Sequence, residues 1–311
     1  LPALQVLLGP GQVALGVAHP RTREVYGAAG ILSEFWAVRG AWSPVQVGAR
    51  ARRWEPARAV VFTEAPTGAI LARLSGAPLR LGLTAGASAR LLTEDRVASD
   101  RSQPLWRRYL ELARAAGAGT APTPDFRLEP GTEAQARAEE LLASIPERGR
   151  VALAPGAAYG PAKQWPVERF EELCRRMHER ALSVIVVGGP GERELGSRLA
   201  ACGAVDLAGR TGILDAVAIL RRVSVLVTND SGALHLGRSA GCPLVALFGS
   251  SSPSWTGPEP EEGEVLWRGL SCSPCFRRRC PLAGDEHMRC LREITTEEVL
   301  DAVARVAREK E

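Results

Sequence analysis

Two short apolar runs flank a helical stretch between Val223 and Ser252, and they constrain the fold more than any other part of the chain. The run Val223–Val227 is rich in β-branched residues and Leu244–Phe248 is wholly apolar, as expected of strands buried on both faces. Residues 233–240 between them have helical spacing. Two buried strands joined by a helix are typical of a parallel sheet. The sequence therefore predicts an α/β fold around this unit.

Polar residues follow both of these predicted strands. The carboxyl ends of parallel strands meet at one edge of the sheet, where ligands bind. A helix starting near Ser231 would direct free N–H groups and the positive end of its dipole to that edge, which suits a phosphate. His235 lies four residues later, on the same helical face as Ser231. The alternative is that Asp230 and Ser231 only cap the helix and that His235 is a core histidine.

Predicted strands and helices alternate along the whole chain of 311 residues, a length that suggests about two domains. A proline- and threonine-rich segment within residues 118–128 indicates a linker. The predicted domains are therefore residues 1–128 and 129–311. The strands predicted in the first are Val13–Val17, Phe35–Val38, Ala59–Phe62 and Leu79–Leu83. The clearest further elements of the second are Val151–Ala154, Val167–Arg180, Ser183–Val187, Ile213–Arg221 and Thr296–Arg308.

Composition argues against several classes of protein. A formal net charge of +4 is too small to indicate a nucleic-acid partner. The uncharged start of the chain is broken by Pro2, Gly9 and Pro10, so it does not predict a membrane span. The seven cysteines are odd in number and form no evident disulfide framework. They predict a reducing compartment and hence a cytoplasmic protein.

Lys163 lies in the glycine- and proline-bearing loop Pro155–Pro166, and Lys310 is the only other lysine of the sequence. A lysine after a strand can neutralise a phosphate as a point charge; the alternative is an ordinary solvated lysine. The chain has no P-loop, dinucleotide fingerprint or Asp-x-Asp pair. We therefore predict no cofactor, and a phosphate-bearing ligand held by helix N-termini, hydroxyl groups and Lys163.

Four cysteines lie close together in the sequence, at Cys272, Cys275, Cys280 and Cys290. Four thiols could hold zinc or an iron–sulfur cluster, although their spacing matches no standard zinc finger. Metal ligation, a disulfide and the plain packing of unreactive thiols are all open interpretations.

Three stretches resemble the ADP-heptose:lipopolysaccharide heptosyltransferases, which form glycosyltransferase family 9, and above all their heptosyltransferase II branch. The stretches are Pro155–Pro166, Thr228–His235 and Pro243–Pro253. The resemblance implies a GT-B fold, in which two Rossmann-like domains with parallel sheets face a cleft. It also implies an inverting enzyme that transfers heptose from ADP-L-glycero-D-manno-heptose to the lipopolysaccharide inner core. No metal is expected, since the Asp-x-Asp pair is missing.

The resemblance assigns roles to residues. Lys163 would contact the diphosphate or heptose, and Lys163 and Asp230 are the expected catalytic residues. The other residues expected at the donor site are Ala157 in the same pocket, Glu192 near the nucleoside, and Ser231, Gly232 and His235 at the sugar-diphosphate. The implied partners are ADP-heptose and the lipopolysaccharide core, with peripheral contact at the inner face of the inner membrane.

One departure from the family concerns the start of the chain. Family members begin with a strand and a Gly-Asp loop whose aspartate is the usual candidate for the general base. This sequence starts at Leu1, just past that loop, so the first strand and the base are expected upstream of Leu1. Asp230 and the pair Glu94–Asp95 are the alternatives within the chain. Two other functions stay open: a non-catalytic nucleotide-sugar-binding module, and a GT-B-like sugar-nucleotide epimerase, which would need further carboxylates.

Overall fold

The computed structural model describes residues 2–8, 12–39, 43–83, 86–93, 102–119 and 125–308. The chain divides into two compact units, Leu1–Phe126 and Arg127–Glu311. Helices and strands alternate in each unit, and all the strand pairs described are parallel. The predicted α/β class is therefore confirmed. Within the described ranges, the helices are too short or too polar to cross a membrane.

The first unit contains two separate pairs of parallel strands among its described residues. Strand β1 pairs with β2, and β3 pairs with β4. Helix α3 packs against α4, and α1 packs against α5. The elements are α1 Pro2–Leu7, β1 Leu15–Ala18, α2 Arg23–Ala29, β2 Glu34–Ala37, α3 Ser43–Ala51, β3 Arg58–Val61, α4 Pro66–Leu74, β4 Leu79–Gly82 and α5 Leu105–Ala115.

The second unit is built on one six-stranded parallel sheet in the order β10-β9-β8-β5-β6-β7. The edge strand β7 has two residues, whereas β5, β8, β9 and β10 have five each. The elements are α6 Gly131–Leu142, β5 Arg150–Ala154, α7 Val167–Glu179, β6 Ser183–Val186, α8 Arg193–Ala200, β7 Val205–Asp206, α9 Ile213–Leu220, β8 Val225–Asn229, α10 Gly232–Ala240, β9 Leu244–Phe248, α11 Pro253–Thr256, β10 Gly263–Trp267, α12 Arg289–Arg292 and α13 Thr296–Arg308.

Helices cover both faces of this sheet, so its central strands are completely buried. Side chains alternate between the two faces along each strand. On one face, Val227 and Leu247 belong to a cluster that includes residues of α7 and α13. On the other, Leu226 and Phe248 join residues of α6, α9 and α10. This burial explains why the sequence of these strands is a nearly continuous apolar run.

Several elements differ from the sequence-based expectation, and strand β8, helix α3 and strand β10 are the clearest of them. Strand β8 lies two residues later than predicted, because its polar end still pairs: Thr228 with Ala246 and Asn229 with Leu247. Helix α3 and strand β10 were not predicted. The first is short and contains a proline and a glycine, and the second is only partly buried, with a mixed polar and apolar sequence.

Helix α10 packs closely on the sheet at Gly237. A Cβ atom at this position would lie 2.6 Å from Leu244 Cδ2 and 2.8 Å from Leu226 Cδ2. We expect Gly237→Ala to lower the free energy of unfolding by about 1–2 kcal/mol, since overpacking outweighs the better helix propensity of alanine. The matched control is Gly232→Ala in the same helix, where a Cβ meets no atom within 4 Å. Equal urea unfolding curves for the two variants would contradict this packing.

Candidate functional site

All of the predicted donor-site residues follow strands of the second sheet at its carboxyl edge. The loop after β5 carries Ala157 and Lys163, and the loop after β6 carries Glu192. Asp230 directly follows β8, which lies between β5 and β9 in the sheet. Because these strands are parallel, their loops emerge at one edge, which is where ligands bind in open α/β sheets.

Lys163 and Asp230 form an ion pair at this edge. The distance from Lys163 Nζ to Asp230 Oδ2 is 2.5 Å. The side chains are 13% and 4% exposed, so the pair is largely shielded from water. The interpretation of Lys163 as an ordinary solvated lysine is therefore wrong. A single carboxylate uses one of the three ammonium donors, and the others remain available to an anion that approaches the edge.

Two hydroxyl groups complete the surroundings of the Asp230 carboxylate. Ser251 Oγ, after β9, donates to Asp230 Oδ2 at 2.5 Å. Thr256 Oγ1, in α11, donates to Oδ1 at 3.0 Å. Both oxygens of Asp230 thus accept hydrogen bonds, which hold the carboxylate group in one orientation. The arrangement favours a fixed anion that orients Lys163.

The loop that carries Lys163 is held at both ends by Asn229. The backbone N–H of Trp165 donates to Asn229 Oδ1 at 3.0 Å, and Asn229 Nδ2 donates to the carbonyl oxygen of Pro155 at 2.8 Å. Trp165 is itself anchored, because its indole N–H donates to the carbonyl oxygen of Ile294 at 3.0 Å. Asn229 is completely buried, and its amide satisfies loop groups that water cannot reach.

The first turn of α10 follows Asp230. Ser231 caps this helix, since its Oγ accepts a hydrogen bond from the N–H of Ala233 at 3.3 Å. Gly232 and His235 are exposed on the helix, so the interpretation of His235 as a core histidine is wrong. Desolvation by the surrounding protein nevertheless lowers the pKa of His235, against the opposing effect of the Asp230 carboxylate. A neutral imidazole at neutral pH can donate or accept a hydrogen bond.

The carboxyl group of Glu192 lies against Gly156, in the loop that carries Lys163. Its Oε2 accepts a hydrogen bond from the backbone N–H of Gly189 at 2.6 Å. A Cβ atom at Gly156 would collide with the carboxyl group of Glu192, so the loop after β5 and the loop after β6 approach as closely as a glycine allows. Ala157 is buried beside this contact, at 4% exposure.

Together these groups can bind an anion. A lysine ammonium and the N-terminus of a nine-residue helix carry positive charge at one sheet edge. Two exposed positions, Gly232 and His235, leave that helix start accessible. The arrangement suits a phosphate or diphosphate group whose charge needs stabilisation.

The profile of Glycosyltransferase family 9 (heptosyltransferase) matches residues 56–284, which is most of the chain. The chain belongs to glycosyltransferase family 9. Lipopolysaccharide heptosyltransferase 2 of Escherichia coli K12 is 30% identical over 233 residues, which are 70% of this chain and 66% of that protein. The aligned region thus spans just under two thirds of this curated relative.

Solved structures of heptosyltransferases share the fold of this family 9 chain. E. coli ADP-heptose lipopolysaccharide heptosyltransferase II superposes with a TM-score of 0.79 at 23% identity, over 99% of this chain and 94% of that one. E. coli heptosyltransferase WaaC with ADP-2-deoxy-2-fluoro heptose has a TM-score of 0.66 at 20% identity, over 98% and 94%. The fold is therefore the α/β GT-B type of these enzymes.

The four cysteines of the family 9 chain's C-terminal region are free thiols in the structure, which gives no support to a disulfide. Burial raises the pKa of Cys290 to about 11, and the nearby thiols of Cys272, Cys275 and Cys280 act in the same direction. Among the described residues, no group of three or more His, Cys, Asp or Glu side chains is arranged to hold a metal.

Sequence reasoning missed three groups that shape the site: Asn229, Ser251 and Thr256. The position of the serines after β9 could have predicted that they lie near the site, since they follow a strand at the same edge of the sheet. The sequence offers no sign that Thr256 reaches Asp230. Of the alternative bases, Glu94 and Asp95 lie outside the described residues.

Asp230→Asn tests the buried ion pair. The substitution leaves the Lys163 ammonium without its counter-ion, and breaking a buried pair from one side is costly. Because Lys163 retains some exposure, we expect a loss of about 2–4 kcal/mol in the free energy of unfolding. Adding Lys163→Met should restore part of this loss in urea unfolding, since the unpaired charge is then gone. An Asp230→Asn variant as stable as the parent protein would show that the ion pair contributes nothing to the free energy of unfolding.

Proposed function

We propose that this chain is a heptosyltransferase that transfers heptose from ADP-L-glycero-D-manno-heptose to the lipopolysaccharide inner core. The observation that carries the proposal is the Lys163–Asp230 pair beside the start of α10, in a chain of glycosyltransferase family 9. The name of the E. coli relative supports a lipopolysaccharide acceptor. The donor analogue bound by WaaC supports an ADP-linked heptose.

The leaving group determines what the site must do. When an acceptor hydroxyl attacks the anomeric carbon, the bond from that carbon to the diphosphate oxygen breaks and ADP departs with the electron pair. Negative charge grows on the diphosphate, and preorganised positive groups stabilise it in the transition state. Lys163 and the N–H groups at the start of α10 supply that stabilisation without a metal ion. Attack opposite the leaving group inverts the anomeric configuration.

We assign Asp230 an orienting role in this reaction. A general base needs a free lone pair within reach of the acceptor hydroxyl. Both oxygens of Asp230 already accept hydrogen bonds from Lys163, Ser251 and Thr256. Three of the roughly four acceptor positions of this carboxylate are thus occupied, which leaves Asp230 poorly placed to take the proton of the acceptor hydroxyl.

The remaining donor-site residues bind around this centre. Glu192 and Ala157 are proposed near the nucleoside and the diphosphate, and the imidazole of His235 offers a hydrogen bond to a sugar hydroxyl. The acceptor core is attached to a lipid, so we propose that the protein works in the cytoplasm at the inner face of the inner membrane.

Lys163→Ala should weaken ADP binding by about 1.5–3 kcal/mol, the range for a hydrogen bond to a charged group. The affinity for AMP should change less, because AMP lacks the second phosphate. Calorimetry of the full chain with both nucleotides gives the comparison. Parallel losses for ADP and AMP, or none, would remove Lys163 from the diphosphate site.

Heptose transfer itself separates an enzyme from a binding module. We expect the full chain to transfer heptose from ADP-heptose to lipopolysaccharide that carries one core heptose, with an unchanged rate in EDTA. Lys163→Ala should slow this transfer by about 10²-fold or more, as for other preorganised charge stabilisers. ADP-heptose binding without transfer would favour the non-catalytic module, and the appearance of an epimerised nucleotide sugar would favour the epimerase.

A further inference from the structure

Residues 272–280, named here the cysteine segment, pack on the edge of the sheet next to the candidate site. Ser273 Oγ donates to the carbonyl oxygen of Gly249 at 2.5 Å. The N–H of Phe276 donates to the carbonyl oxygen of Ser250 at 2.7 Å. The aromatic ring of Phe276 also meets Trp255 edge to face, with ring centroids 5.6 Å apart. These contacts fix the cysteine segment against the loop after β9, one residue from Ser251.

The cysteine segment also forms hydrogen bonds with the loop that carries Lys163. Tyr159 Oη donates to the carbonyl oxygen of Phe276 at 2.7 Å, and Arg278 Nε donates to the carbonyl oxygen of Tyr159 at 2.6 Å. The N–H of Ala162 donates to the carbonyl oxygen of Arg278 at 3.2 Å. A Cβ atom at Gly160 would lie 2.5 Å from that carbonyl oxygen, so the two segments are as close as a glycine permits.

These contacts place the Tyr159 ring beside the ammonium of Lys163. Lys163 Nζ lies 5.1 Å from the centroid of the ring, within the distance at which a cation is attracted to an aromatic face. The ammonium therefore has the Asp230 carboxylate at 2.5 Å and an aromatic ring as a second neighbour. A lysine side chain is long and flexible, and a second contact narrows the positions its ammonium can take.

We propose that Tyr159 is a positioning residue for Lys163, and that Phe276 and Arg278 hold Tyr159 in place. The cysteine segment thereby takes part in the donor site through its backbone and through Arg278. The consequence for diphosphate binding rests on the proposed function, whereas the placement of the Lys163 ammonium does not.

Amine labelling tests that placement without any ligand. Lys163 and Lys310 are the only lysines of the chain, so peptide mass spectrometry can report the labelling of Lys163 relative to Lys310 in a single sample. We expect Tyr159→Leu to raise this ratio about threefold or more, in line with the loss of a cation–π contact. Tyr159→Phe, which keeps the ring, should give a labelling ratio between those of the parent protein and Tyr159→Leu.

Arg278→Ala provides a second variant, because its exposed side chain can be removed with little risk to folding. It should also raise the ratio. Arg279→Ala is the matched control: it removes the same charge from an exposed neighbour and should leave the ratio unchanged. Ratios equal to that of the parent protein in both Tyr159→Leu and Arg278→Ala would overturn the proposal.

A double-mutant cycle then asks whether Tyr159 acts through Lys163. In calorimetry, Tyr159→Leu alone should weaken ADP binding about three- to tenfold, with a smaller effect on AMP. In the Lys163→Ala background it should cause no further loss. Additive losses would mean that Tyr159 touches the nucleotide directly and would overturn its positioning role. A parent protein that does not prefer ADP over AMP would instead contradict the proposed function, and the labelling result would still decide the placement.

Discussion

The contact between the Lys163 ammonium and the Asp230 carboxylate joins two loops that are 67 residues apart in the sequence. Charges so little exposed to water are stable only when their geometry is good and their remaining hydrogen-bonding groups are satisfied. Ser251 and Thr256 meet that need on the carboxylate side. Asn229 fixes the lysine loop itself, because its amide holds the two ends of that loop. The site is therefore a network in which each member constrains the others.

Asn229 connects this network to the fold. It is the last residue of β8, a strand with no exposed residue, and its side-chain amide is completely buried. A buried amide without partners would be costly, and a buried loop carbonyl without partners would be equally so. In this structure the Asn229 amide and the carbonyl oxygen of Pro155 satisfy each other through a hydrogen bond. The central strand of the sheet thus ends in a side chain that determines the path of a loop after the neighbouring strand.

The sequence predicted most of the second sheet and less of the site. Strand Leu244–Phe248 and helix Thr296–Arg308 have the predicted bounds, because a wholly apolar run and a clearly amphipathic one leave little choice. The common edge of the loops followed from parallel pairing. The direct contact of Lys163 with Asp230, and the packing of the cysteine segment on Tyr159, depend on loop paths across long sequence separations. Local periodicity contains no record of such contacts.

The second sheet ends on one side at β7, which pairs with only Ile185 and Val186. An edge strand invites pairing with another chain in proportion to the backbone groups it leaves open. The two residues of β7 leave few backbone groups open. One of these residues is the charged Asp206, whose Oδ1 already accepts a hydrogen bond from the N–H of Ala208. A foreign strand would gain little by adding there. The shortness of β7 thereby leaves this edge of a strongly apolar sheet little able to pair with a foreign strand.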